Sequence, residues 1–283
     1  MSVQLEKLKL VLDQFYMDFD FAGTAARDPI EFPRSYMQKE DKEISGFIAS
    51  AFAYGNVNIF KPVVRTLLSK MGESPSSFIR QFDIKRQRNI FAGIKYRFND
   101  NDDIVALFFI LHKVLNQSGS LEAVFMKHYS FDDGHIGSAI AGLIDDLLEI
   151  DTTPVYGDNV KPVGLRQFIP SPRKGSACKR MNLYLRWMIR DRDIDFGIWK
   201  GIPKHKLIIP LDTHIARISK CLELTGRKSQ DWMMAVEITE ALKKLDPEDP
   251  LKYDFALCHQ GISKVCSAKN CKGCRLFGKG IVL

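Results

Sequence analysis

No stretch of this chain approaches the ~18 consecutive apolar residues that a membrane-spanning helix needs. The opening "MSVQLEKLKLVLDQFYMDFDF" interleaves Glu, Lys and Asp with its apolar residues. It therefore lacks the unbroken apolar core of a secretory signal. These two absences predict a cytoplasmic protein with no membrane partner. Alternating runs of strand length are almost missing, and "KLIIPL" is broken by its own proline. Low-complexity tracts and internal repeats are not evident. A disulfide framework is not expected either, because three of the six cysteines crowd into the last eighteen residues of a long chain.

What is present is ordinary for a soluble globular protein. At 283 residues the chain can form one large or two modest domains. Its apolar content of 45% and charged content of 27% fit that class. Lys plus Arg number 41 against 34 Asp plus Glu, a formal charge of +7 with a pI near 9.0. That excess suits a polyanionic partner, although many soluble proteins carry it without one.

Helical spacing dominates. Leu5, Leu8, Leu12, Phe15 and Phe19 recur at threes and fours, as do Phe60, Val63, Val64, Leu67, Leu68 and Met71 before Gly72. Ile104, Phe108, Leu111 and Leu115 repeat the theme, followed by Ile136, Ile140, Ile144 and Leu147. Met181, Tyr184, Leu185 and Met188 come next, then Ala235, Ile238, Leu242 and Leu245. The pattern predicts an all-α protein of about ten or more helices. Two stretches punctuate it. "DTTPVYGDNVKPVGLRQFIPSPRKG" (151–175), with four prolines, reads as a long loop. "RDRDIDFGIWKGIPKHK" (190–206) reads as a second, charged connection.

The residues with chemistry lie either side of that second connection. "GSACKRMNLYLRWM" (175–188) is a basic, aromatic-bearing helix entered through a Pro/Gly-rich turn. Backbone N–H groups at such an entry can hold a phosphate. Lys179 is expected about one turn inside the helix. After the connection comes "PLDTH", which sets Asp212 where a helix begins and where the helix dipole favours an ionised carboxylate. An amine and a carboxylate facing one cleft supply a nucleophile and an acid/base or cation-stabilising group. Each residue also has a plain reading. Asp is a preferred N-cap without any substrate, Lys179 alone is a solvated lysine, and His214 can simply bond a carbonyl. Tyr54 follows the stripe Ile44, Phe47, Ile48 and Ala51 and reads equally as core, as do Trp187, Trp199 and Trp232.

At these residues the chain resembles the helix-hairpin-helix DNA glycosylase superfamily, which includes endonuclease III and the 8-oxoguanine glycosylases. "GSACKRMN" is similar to the family's hairpin-helix, with Gly175 four residues before Lys179 and Asn182 three after it. "PLDTHIARI" is similar to its "VDTH"-like aspartate segment. "EISGFIASAFAYGNVNIFKPVVRTLLSKMG" (43–72) resembles its early helices and "IFAGIKYRFN" (90–99) the segment preceding the hairpin, so the matching pieces span 43–274. By these pieces the chain is identified as a member of a bacterial branch of the superfamily whose function is unknown.

The resemblance implies two helical domains with a cleft between them. Residues 40–188 would form one, ending in the hairpin-helix; 1–39 with 189–283 would form the other, carrying the aspartate segment and a cysteine tail. It implies a monomer that excises a damaged base from double-stranded DNA after flipping the nucleotide out of the stack. Lys179 would be the nucleophile and Asp212 the activating and stabilising carboxylate. A Schiff base on Lys179 would add abasic-site lyase activity. Lys174, Gly175 and His214 would touch phosphate, and Tyr54 or Asn56, at the junction of the early helices, would enter the stack.

The tail "VCSAKNCKGCRLFGKGIVL" resembles a shortened form of the iron–sulfur segment that ends endonuclease III-type enzymes. Cys266, Cys271 and Cys274 offer three ligands for zinc or an iron–sulfur cluster, and Cys258 or His259 would have to complete the set. The helical spacing of "KYDFALCHQGI" instead packs Cys258, so a metal-free remnant is the expectation. An alternative function is a non-catalytic DNA- or RNA-binding protein on the same scaffold. The altered hairpin "IPSPRKGSAC" and the incomplete cysteine set favour that alternative. A third is a helical protein with an unrelated partner.

Overall fold

The computed structural model describes residues 3–262. Among them are ten α-helices of eight residues or more: α1 (Val3–Met17), α2 (Lys39–Phe52), α3 (Val57–Met71), α4 (Asn101–Ser118), α5 (Leu121–His128), α6 (Gly137–Glu149), α7 (Lys179–Ile189), α8 (Thr213–Cys221), α9 (Trp232–Lys243) and α10 (Asp254–Ile262). Shorter helical turns link them, and no strand occurs among the described residues. The chain is all-α, as its periodicity predicts. No single helix among the described residues is long and apolar enough to cross a membrane.

The chain divides into two units, one of residues 26–174 and one that takes the chain up to Ala25 and again from Gly175. The divisions fall at 25/26 and 174/175, where the sequence reading has 39/40 and 188/189. In consequence α7 lies in the same unit as Asp212. Its apolar side chains are buried there, and two buried arginines of α7, Arg186 and Arg190, pair with carboxylates of the later segment.

The 26–174 unit is organised around α4. Asp100 and Asp103 start that helix as a reciprocal capping box, each carboxylate accepting the other's backbone N–H at 3.0 and 3.2 Å. Ile104, Val105, Ala106, Leu107, Phe108, Phe109, Ile110 and Leu111 are then buried in succession, so α4 is covered on every side. Buried carboxylates of α2 serve neighbouring helix starts. Glu43 accepts from the N–H groups of Leu121 and Glu122 at 3.2 and 3.1 Å, capping α5 from outside it. Asp41 accepts from Ser76 N and Oγ at 2.9 and 2.7 Å. The 151–175 stretch is not the structureless loop its prolines predict. It holds short helices at Thr153–Tyr156 and Val163–Phe168 and a 3-10 turn at Pro172–Lys174. Val155, Leu165, Phe168 and Ile169 are buried there, and that apolar docking outweighs the prolines, two of which sit harmlessly at helix starts.

In the other unit α7 is buried from Met181 to Ile189, with Trp187 and Tyr184 wholly enclosed and Trp199 edge-on to Tyr184 at 5.5 Å. Trp187 and Trp199 are thus core. The charged connection 190–206 is also more than a linker. Arg190 Nε reaches both oxygens of Asp249 at 3.0 Å, while its other nitrogens meet Asp195 at 3.0 Å and Asp193 at 2.8 Å. Arg186 Nε meets the second oxygen of Asp195 at 3.2 Å. Both arginines are only 3% exposed, so the charges are folded inward as a paired network. α8 packs directly on α10.

Candidate active site

Helix α8 starts at Thr213 because Asp212 caps it. The aspartate backbone is extended, and its Oδ1 accepts the N–H groups of His214 and Ile215, both at 2.9 Å. The plain reading of Asp212 as an N-cap is therefore correct, but capping occupies only one oxygen. Oδ2 lies 3.7 Å from Lys179 Nζ and 3.7 Å from Cys258 Sγ. The side chains of Lys179 and Asp212 are 34% and 15% exposed, so solvent reaches the pair.

Lys179 is the first residue of α7, not one turn inside it. The helix cannot begin earlier, because Cys178 adopts the left-handed conformation at φ 47°. The entry turn is built from short-range bonds. Cys178 N donates to Ser176 Oγ at 3.2 Å, and buried Asn182 donates through Nδ2 to the Ala177 carbonyl at 3.1 Å. Gly175 takes φ 76°, and its carbonyl accepts Trp232 N at 3.1 Å, fixing the turn to the start of α9. Burial pushes the Cys178 thiol up to about 12, so it is a packed thiol and not a nucleophile at neutral pH.

Behind the pair lies the buried network. Asp254 sits on α10 one turn before Cys258 and is ion-paired to Arg186 of α7. Burial pushes its carboxyl up to about 6; Arg186 pulls the other way, and the charges of Asp212 and Asp195 add to the rise. Sequence reading missed Arg186, Asp254 and the contact of Cys258 with Asp212. A spacing signal was there to find: Lys179 and Arg186 are seven apart, and Asp254 and Cys258 four apart, so each couple shares a helix face.

His214 is the second residue of α8, and its ring rests on Gly261, where an added Cβ would come within 2.6 Å of the His214 Cβ. Its Nδ1 is buried with no hydrogen-bond partner among the described residues. Tyr54, Asn56 and Lys174 belong to the 26–174 unit. The Tyr54 hydroxyl donates to Asn99 Oδ1 at 2.5 Å and its ring lies edge-on to Tyr96 at 4.8 Å, so this side chain is held down. Asn56 is exposed and caps α3, accepting Asn58 N at 2.9 Å. Lys174 is exposed at the end of its 3-10 turn. Beside Tyr54 the sequence reading passed over Phe98, which is 63% exposed under the guanidinium of Arg97. Arg97 is itself left-handed at φ 52° and also lies over the Tyr54 ring. Gly55 makes room for it: a Cβ there would meet Arg97 Nη1 at 2.3 Å.

Cys266, Cys271 and Cys274 lie outside the described residues. Among the described residues no group of three His, Cys, Asp or Glu side chains is placed to hold a metal ion.

A family model described as "Protein of unknown function (DUF2400)" matches residues 28–263, and the chain belongs to that family. The match takes in Lys179, Asp212, Asp254 and Cys258. No curated protein and no solved structure matches the chain.

Proposed function

We propose that this chain is a DNA glycosylase that removes a damaged base from double-stranded DNA, with the two-domain architecture of that superfamily as part of the same proposal. The observation that carries the reading is the approach of Lys179 Nζ to Asp212 Oδ2 at 3.7 Å, in a position open to solvent. In that reading the Lys179 amine attacks the sugar carbon bearing the base. The glycosidic bond breaks, and the base leaves with the bonding electron pair. Oδ2 takes the proton the amine sheds and stabilises the cationic sugar as the bond breaks. The cap bonds keep Oδ1 fixed, so the carboxylate does not swing away when substrate enters. The excess of seven positive charges favours the phosphate backbone as the partner.

Incubation with abasic and 8-oxoguanine duplexes in the presence of borohydride tests it. A covalent adduct should form with the wild-type chain and vanish in Lys179→Ala. Absence of adduct and of base release across a panel of lesions overturns the reading; salt-dependent duplex binding alone then leaves the non-catalytic binder.

On the 26–174 unit the same proposal assigns the side chain that enters the stack to Phe98 and not to Tyr54, because Phe98 is 63% exposed whereas Tyr54 is tied through its hydroxyl to Asn99. Phe98→Ser should weaken duplex binding roughly ten-fold, the usual worth of one base–aromatic stack. Tyr54→Phe should leave affinity unchanged. Fluorescence anisotropy at fixed ionic strength distinguishes the two.

A further inference from the structure

Helix α10 touches Asp212 directly and the helix that carries Lys179 through Arg186, at points one turn apart. Asp254 anchors Arg186, which shares a face of α7 with Lys179. Cys258 donates its thiol hydrogen to Asp212 Oδ2 at 3.7 Å. The amine-to-carboxylate distance of 3.7 Å is longer than the about 2.7–2.9 Å of a hydrogen-bonded pair of opposite charges. Oδ1 is pinned by two backbone N–H groups, and Oδ2 is shared with the thiol.

We infer that Cys258 is a positioning residue that holds Asp212 at a stand-off from Lys179, with the Asp254–Arg186 bridge fixing α10 to α7. The physical need is plain. A lysine locked in a tight ion pair keeps its proton and is a poor nucleophile. A lysine far from any carboxylate has no group to take that proton. A thiol donor on Oδ2 draws part of the carboxylate's charge and keeps the amine between those limits. Among the described residues, the groups near the Lys179–Asp212 pair include Cys258 and buried Asp254 on α10.

The inference rests on Lys179 and Asp212 being a working pair, but its test does not need DNA. Trace acetylation with acetic anhydride, quantified by mass spectrometry of the Lys179 peptide against the other lysines of the same chain, reads the amine's reactivity directly. Cys258→Val fills the same space without a donor, so the ion pair closes and Lys179 should label roughly three- to five-fold more slowly, the factor a partly exposed ion pair carries. Cys258→Ser keeps a donor and should label like wild type. Equal labelling in wild type and Cys258→Val, or slowing in both variants alike, overturns the inference and leaves Cys258 a packing residue. Thermal unfolding of each variant checks the fold, and Cys258→Thr supplies a donor-bearing β-branched comparison should valine perturb packing. If the labelling pattern holds while no lesion duplex yields adduct or free base, the stand-off stands and the glycosylase reading alone fails.

Discussion

Asp212→Asn should cut single-turnover base release by about a hundred- to ten-thousand-fold, the range expected for loss of an acid/base or charge-stabilising group. The same variant should leave the fold and duplex binding in place. Its value lies in what it holds constant. Asparagine is as good an N-cap as aspartate, so the carbonyl oxygen can go on accepting the N–H groups of His214 and Ile215 as Oδ1 does now. What disappears is the negative charge on the oxygen that faces Lys179 and Cys258. If Asp212 only caps α8, Asp212→Asn keeps full activity, whereas Asp212→Ala costs about 1 kcal/mol of stability. If Asp212 also works on substrate, the asparagine variant is stable and nearly inert. Single-turnover rates with saturating enzyme, set beside thermal unfolding of both variants, separate the cases.

Much of this was legible in the amino-acid order. The stripes at Phe60–Met71, Ile104–Leu115 and Ile136–Leu147 appear as α3, α4 and α6. A periodic apolar face has few ways to be buried other than as a helix. Asp212 and Lys179 were recognisable because a cap and a helix entry are local features. What was hidden depends on distant partners. Arg186, Arg190 and Asp195 look like surface charges in a list of residues, since arginine and aspartate are rarely enclosed unless paired, and nothing in "RWMIRDRDID" shows that Arg186 pairs with Asp254 and Arg190 with Asp249. Cys258 read as a packed residue or a metal ligand, because the carboxylate it meets lies 46 residues away. The short helices of 151–175 were masked by prolines, whose turn signal is stronger in sequence than the docking of Leu165 and Phe168 that overrides it.

Arg190→Met should destabilise the unit containing α7 by about 3–5 kcal/mol, because it strands charges that have no water to retreat to. Three carboxylates, those of Asp193, Asp195 and Asp249, lose a shared cation, and Asp195 is only 1% exposed. An exposed pair gives the contrast. Arg173 and Asp145 are 67% and 47% exposed, and Arg173→Ala should change stability by less than about 1 kcal/mol. The pH dependence identifies the cause. Burial raises the folded-state carboxyls of Asp195 and of Asp254, the latter to about 6 against an ordinary 3.8. A carboxyl raised on folding stabilises the native state fully below its unfolded value, and that contribution is lost as pH rises through its folded value. Removing Arg190 takes away one of the two cations that hold Asp195 down, so in the variant its proton is retained to still higher pH. The gap between the wild-type and Arg190→Met proteins should therefore narrow as pH falls, because Asp195 takes up its proton and ceases to be a stranded charge. Hydrogen exchange of the α7 amides, followed from pH 7 to pH 5, measures this within the one unit even if the other unfolds separately. A gap that stays constant over that range would show that lost packing of the arginine stem, and not the uncompensated charge, carries the effect.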